Sequence, residues 1–123
     1  MSSMDFETGH ILVGHNASNW GPFAFDFEEG LPTGIELASV TVKSYLGRVG
    51  KDDDLSDETE TTSELIGNST LASPTIVQVF LSLPTTSTYL DANHTLLFEF
   101  TTDNAYGGTH SAFFYRVQVV KEA

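Results

Sequence analysis

The chain has 123 residues, no cysteine, and 17 acidic against five basic side chains, which gives a formal net charge of −12. This length predicts a single domain with its own core. The lack of cysteine excludes disulfides and thiolate metal sites. The negative charge makes nucleic acid and anionic membranes poor partners, because affinity for phosphate comes from lysine and arginine.

The N-terminal stretch, residues 1–20, shows little periodicity and predicts an extended arm ahead of a domain at residues 21–123. It has no basic or long apolar run, so we expect neither a secretion signal nor a membrane helix. Ile11, Leu12 and Val13 form a short apolar segment that could pair with a neighbouring subunit by strand addition. A loosely ordered tail is the alternative.

From Phe23 onward, apolar and polar side chains alternate in successive segments, as in half-buried β-strands. The predicted inward-facing sets are Phe23, Phe25 and Phe27; Ala38, Val40, Val42 and Leu46; Val77, Val79, Leu81 and Leu83; Leu96, Phe98 and Phe100; and Phe113, Tyr115, Val117 and Val119. Turn signals separate these strands at residues 29–34, 84, 91–93 and 103–108. Short strands without helical periodicity predict a sandwich or barrel.

Between residues 47 and 74 the alternation lapses. About residues 48–64 form an acidic, threonine-rich stretch, which we predict to be an exposed, mobile loop. Its spacing does not match an EF-hand, because a loop that begins at Asp52 has Asp57 where the sixth-position glycine should be. A different calcium site, built from Asp52, Asp54 and Asp57, stays open as an alternative to a solvated loop.

Motifs for catalysis or for cofactor binding are absent from the sequence: it has no nucleophile elbow, phosphate loop or dinucleotide fingerprint. We therefore expect a non-enzymatic protein with no cofactor and no metal. The histidines show no metal-binding spacing and are expected at turns or on the surface. They are His10, His15, His94 and His110.

Four scattered aromatic residues suggest an alternative function. Trp20, Tyr45, Tyr89 and Tyr106 could form a platform on which the apolar face of a sugar ring stacks. A carbohydrate-binding β-sandwich module is therefore the second functional hypothesis.

Five apolar side chains interrupt the polar stripes that should face solvent. They are Tyr45, Ile76, Phe80, Leu97 and Phe114. One explanation is that loops or the arm cover them, or that the register of one strand is wrong. The other is an apolar patch made for a partner, and on that hypothesis they join the segment 11–13 as partner-binding residues.

Two blocks of sequence resemble a known family. The first is residues 23–32 followed by 35–42, and the second is residues 95–102, with 114–120 closing the chain. Their hydrophobic pattern and order are similar to those of small immunoglobulin-like accessory proteins of tailed bacteriophage virions, of the fiber–tail adaptor and head decoration types. The chain departs from this pattern in its N-terminal extension and in the acidic insertion at residues 51–64.

The resemblance implies an all-β fold, an antiparallel immunoglobulin-like sandwich of about seven strands. It implies a structural protein that binds capsid or tail components and self-associates in multiple copies. Because proteins of this family are structural, the resemblance implies no catalytic residues. Such a protein would be made in the host bacterial cytoplasm and reside in the virion.

Overall fold

The computed structural model describes residues 3–7, 11–13, 20–103 and 107–121; for residues 3, 11–13, 20 and 119–121 it describes the backbone only. The strands are β1 (Ser3–Glu7), β2 (Ile11–Val13), β3 (Trp20–Asp26), β4 (Leu37–Leu46), β5 (Ile66–Leu71), β6 (Ile76–Leu81), β7 (Asn93–Thr102) and β8 (His110–Lys121). A one-turn helix, α1 (Thr62–Leu65), precedes β5, and 3₁₀ turns lie at Glu28–Gly30, Leu55–Asp57 and Ser87–Tyr89. Within the described ranges, no helix has the length and apolarity needed to cross a bilayer.

The strands form two sheets that pack face to face as a sandwich. The large sheet has the order β1-β8-β7-β4, with β2 also paired to β8, and the small sheet has the order β3-β6-β5. Neighbouring strands are antiparallel except that β1 and β2 run parallel to β8. The prediction of an antiparallel-rich β-sandwich is therefore confirmed at this level.

The core lies between the sheets and is rich in phenylalanine. Phe27 is fully buried, and its ring meets those of Phe98 and Phe100 edge-on at centroid distances of 5.3 and 5.5 Å. Edge-to-face pairs of this kind contribute about 0.5–1.5 kcal/mol each beyond the burial of their area. Val77 and Val79 of β6 close the core from the small sheet. The inward stripes predicted for β3, β6 and β7 are thus confirmed.

The N-terminal arm supplies strands to the large sheet. Ser3 pairs with Ser111 and Ile11 pairs with Val119, so β1 and β2 keep the same offset along β8. Met4 is only 8% exposed and belongs to the core. The described parts of the arm therefore lie in this chain's own sandwich.

A bulge in β8 changes which of its side chains face the core. His94 pairs with Val117 and Leu96 pairs with Phe114, so β8 has one residue more than β7 between these pairs. Within the bulge Arg116 has a φ of 60°, the left-handed conformation that non-glycine residues seldom adopt. Bulges of this kind bend a strand and turn its side chains to the other face.

The bulge corrects one predicted stripe. Ala112 and Phe114 face the core, whereas Phe113 and Tyr115 face outward, and Val117 returns to the core after the extra residue. The prediction that Phe113 and Tyr115 point inward is therefore wrong. The prediction assumes regular alternation along β8, whereas the bulge interrupts it.

Residues 47–61 fold back over the outer face of the large sheet. Val49 is fully buried, and its N–H donates to Thr95 Oγ1 at 3.0 Å. The same hydroxyl donates to the carbonyl of Gly47 at 2.7 Å. Residues 51–57 are exposed, and within them Asp54 accepts from the backbone and side chain of Ser56.

Candidate interaction surfaces

The outer face of the large sheet contains a second apolar cluster, which the chain itself covers. Its members are Tyr45, Val49, Leu97, Phe113 and Tyr115, and none is more than 4% exposed. Tyr45 and Leu97 point outward as predicted, but the prediction that they are available to a partner is wrong, because residues 47–61 lie over them. The first of the two explanations, cover by a loop, holds for these two side chains.

Phe114 is also removed from the predicted apolar patch. It faces the core because of the β8 bulge and is 3% exposed. Its ring stacks on Phe6 at 4.5 Å and meets the edges of Phe25 and Phe98, each at 5.1 Å. The second part of that explanation, a wrong register, holds here.

The two remaining apolar residues of the patch lie together on the small sheet. Ile76 and Phe80 flank Gln78 on the outer side of β6, and all three are partly exposed. Gln78 pairs with Ala24 on one side and Thr70 on the other, and both neighbours are exposed. We call these five residues the β6 face, an apolar strip bordered by small and polar side chains.

Ile11, Leu12 and Val13 form β2 and pair with Val119, Val120 and Lys121 of the same chain. Their side chains lie outside the described residues. The structure thus shows the segment in a parallel strand pair, and pairing with a neighbouring subunit stays a prediction.

A cluster of charged and phenolic groups lies where β1 meets β8. The hydroxyl of Tyr115 donates to Asp5 Oδ1 at 2.7 Å, and Arg48 and Arg116 contact the Glu7 carboxylate at 2.9 and 3.4 Å. The Arg48 guanidinium lies 3.8 Å from the centre of the Tyr115 ring. Sequence reasoning missed this cluster, because its members come from three distant segments.

The same contacts shift two pKa values. Burial raises the pKa of Tyr115, and its hydrogen bond to the Asp5 carboxylate raises it further, so the phenol stays protonated and remains a donor. The hydrogen bond to Glu7 raises the pKa of Arg48. The neutral Tyr115 phenol and the charged Arg48 guanidinium are therefore the forms that contact β1.

An open pocket of about 260 Å³ adjoins this cluster. Asp5, Asp52 and Asp53 line it together with Arg48 and Lys51, and Asp53 accepts a hydrogen bond from the Gly50 N–H at 2.8 Å. Carboxylates and cations are mixed, so the charge pattern favours neither an anion nor a cation. Within the described part of the chain, no three histidine or acidic residues are grouped so as to hold a metal ion.

His94 is fully buried, which corrects its predicted surface position. Its Nε2–H donates to the carbonyl of Tyr89 at 2.9 Å, so Nδ1 accepts from the Thr61 hydroxyl at 3.2 Å. Thr61 in turn accepts from Ser44 at 2.7 Å. Desolvation lowers the pKa of His94. This buried chain of hydrogen bonds joins Thr61, the residue before α1, to β4 and β7.

His110 is also corrected from surface to interior. It is 7% exposed and packs against Phe100 at a centroid distance of 5.6 Å. Its two ring nitrogens have no hydrogen-bond partner among the described residues. His10 and His15 lie outside the described residues.

The aromatic platform proposed for sugar binding is not assembled among the described side chains. Tyr45 lies beneath the segment 47–61, and the Tyr89 ring meets His94 edge-on at 6.3 Å. Tyr106 and the side chain of Trp20 lie outside the described residues.

Comparison with protein-family models, with curated proteins and with solved structures finds no match for this chain.

Proposed function

We propose that the protein is a non-enzymatic structural protein of a tailed bacteriophage virion. It binds other virion proteins, as a head decoration protein or as a fiber–tail adaptor, and is present in multiple copies. The single observation that supports binding through a surface is the β6 face, on which Ile76 and Phe80 remain partly exposed. The two sequence blocks that resemble phage accessory proteins support the virion setting.

We infer that the sandwich is immunoglobulin-like. Strand order supports this inference: β3-β6-β5 matches strands B-E-D of that fold, and β4-β7-β8 matches C-F-G. The exposed segment 51–57, which has four aspartates, then lies in the C–D connection, between β4 and β5. In this arrangement the loop faces solvent while the small sheet faces the partner.

The β6 face has the composition of a small docking site. Ile76 and Phe80 are the apolar anchors, and exposed Ala24 and Thr70 beside Gln78 leave their outer sides open. Aromatic and aliphatic anchors that become fully buried account for most of the energy in many interfaces. Burial of both side chains by a partner would contribute about 1.5–3 kcal/mol each.

The net charge of the chain indicates what kind of surface its partner has. Three of the five basic residues, Lys43, Arg48 and Arg116, form ion pairs with carboxylates of the same chain. The chain as a whole has a net charge of −12, and a basic partner surface would be attracted to it. A basic rim around an apolar groove is the docking site we expect on the capsid or tail protein.

Purified particles of the phage that encodes this chain test the proposal. We expect mass spectrometry to detect the protein in wild-type particles. Phe80→Asp should fold but be depleted at least tenfold, because it places a charge in the interface. Thr33→Asp, at an exposed turn, adds the same charge elsewhere and should incorporate normally. Absence of the wild-type protein from particles would overturn the virion assignment, and normal incorporation of Phe80→Asp would overturn the role of the β6 face.

A further inference from the structure

Apolar and acidic side chains alternate along strand β1. Met4 and Phe6 point inward: Met4 belongs to the core, and the Phe6 ring lies 4.5 Å from that of Phe114 and 6.0 Å from that of Phe27. Asp5 and Glu7 carry the polar contacts of the strand. A period of two places these pairs on opposite faces.

The rest of the domain provides polar partners for the outward side chains of β1. Tyr115 donates to Asp5, while Arg48 and Arg116 both contact Glu7. Two of the chain's five basic residues thus converge on one carboxylate. The groups that face Asp5 and Glu7 are thus a hydrogen-bond donor and two cations, which match the two carboxylates in charge.

The site on the domain that holds β1, which we call the seat, has an apolar side that depends on a glycine. A Cβ atom placed on Gly30 would lie 2.1 Å from Met4 Sδ and 2.9 Å from Phe6 Cζ. The space in which both inward side chains pack therefore depends on the missing side chain at residue 30. Parallel backbone pairing from Ser3↔Ser111 to Glu7↔Tyr115 completes the seat. Backbone pairing combined with pockets for alternate side chains is the way sheets bind added strands.

We propose that this seat is a strand acceptor whose second occupant is β1 of another copy of the chain, so that neighbouring copies exchange N-terminal strands. All the contacts described above join β1 to the rest of the domain, and the same contacts form when β1 comes from a second copy. Exchange of an identical element is a low-cost route to association. The inference rests on the proposed function, because assembly in multiple copies supplies the high local concentration that exchange needs.

Within one molecule, the covalent connection favours the chain's own β1. Such a connection corresponds to an effective concentration in the millimolar range. Purified protein at micromolar concentration should therefore be mostly closed, and exchange should increase as protein concentration approaches the millimolar range. This dependence distinguishes exchange from tight constitutive dimerisation.

The absence of cysteine makes a disulfide test possible. Ser3 and Ser111 are register partners, and paired positions on adjacent strands lie about 5 Å apart, within the range that a disulfide spans. The full-length Ser3→Cys variant, labelled with ¹⁵N, is mixed with unlabelled Ser111→Cys and oxidised. We expect a covalent heterodimer, identified by mass spectrometry, whose yield rises at least fivefold between about 10 μM and about 1 mM protein.

Ser39→Cys provides the matched control. It is an exposed serine on β4, at the opposite side of the large sheet from β1, so its heterodimer with Ser3→Cys reports random collisions. A chain with both Ser3→Cys and Ser111→Cys should form the disulfide within one molecule at low concentration, which shows that the paired positions can react. Reaction within the molecule, combined with a heterodimer yield no higher than the Ser39→Cys control, would overturn strand exchange. This result is independent of particle incorporation, so failure of the virion assignment remains distinguishable.

Discussion

Phe114 and Phe80, which the sequence predicts to share one apolar patch, have opposite roles in the structure. Phe114 is 3% exposed and contacts four other phenylalanine rings, whereas Phe80 is partly exposed on the β6 face. We expect Phe114→Ala to lower the free energy of unfolding by about 3–5 kcal/mol, because it leaves a core cavity. Phe80→Ala should cost less than about 1.5 kcal/mol.

Urea denaturation of the two variants beside the wild type measures both values. Equal losses, or a larger loss for Phe80→Ala, would contradict the register of β8.

His94 predicts a pH dependence of stability. Desolvation lowers its folded-state pKa below the ordinary value of 6.5, so the unfolded chain binds a proton more readily than the folded chain. Stability from this group is therefore complete above about pH 6.5 and is lost as the pH falls towards the folded-state pKa. We expect the wild type to lose more unfolding free energy between pH 7.5 and 5.5 than His94→Gln does.

The wild type and His94→Gln share the other histidines, so a difference between their pH dependences is due to His94. Gln retains a donor and an acceptor, so His94→Gln should remain folded while being less stable than the wild type at pH 7.5. Chemical denaturation at the two pH values gives the slopes. Identical losses in both proteins would contradict the buried neutral state of His94.

Residue-scale predictions from sequence succeeded where alternation was uninterrupted. The inward phenylalanines of β3 and β7 follow directly from a period of two. The β8 bulge was not predictable, because Arg116 has the positive φ angle in place of the glycine or asparagine that usually signals one. The burial of His94 was also missed, since it depends on Thr61, which is 33 positions away.

At the scale of elements, the contact between β1 and the turn at Glu28–Gly30 leaves no room for a side chain at residue 30. Gly30→Ala should destabilise the domain by about 1–3 kcal/mol, because its Cβ would overlap Met4 and Phe6. Met4→Ala should cost about 2 kcal/mol or more through the cavity it leaves. In the double variant the smaller side chain makes room, so its loss should be smaller than the sum by at least about 0.5 kcal/mol.

Thermal or urea unfolding of the four proteins in this cycle supplies the coupling energy. Strict additivity would contradict the packing of Met4 over Gly30. Amide exchange in β1 gives a second readout, since a displaced strand loses protection before the rest of the sheet does.

Sequence patterns identified most of the strands but not their partners. The turn signals at residues 29–34 and 103–108 lie close to the end of β3 and the start of β8, respectively. The parallel pairing of β1 with β8 was not predictable, because a parallel register between distant segments leaves no local turn signal. The cover over Tyr45 and Leu97 was raised only as an alternative, since its anchor, Val49, is a single apolar residue in a polar segment.

At the scale of the whole molecule, the net charge of −12 opposes contact between copies. Salt shortens the screening length from about 10 Å at 0.1 M to about 3 Å at 1 M. We therefore expect self-association at fixed protein concentration to increase with sodium chloride. Sedimentation velocity at 20 mM and 500 mM salt measures this, and weaker association at the higher salt concentration would contradict it. Binding to a basic partner should show the opposite dependence.

The pairing of β1 with β8 also sets an order of events during synthesis. Asp5 and the Tyr115 hydroxyl that binds it are 110 positions apart, and translation proceeds at about 5–20 residues per second. The first described strand thus leaves the ribosome roughly 5–20 s before its pairing partner. During that interval Met4 and Phe6 stay in contact with water, so a nascent β1 can meet β8 of a finished copy before its own β8 has been made.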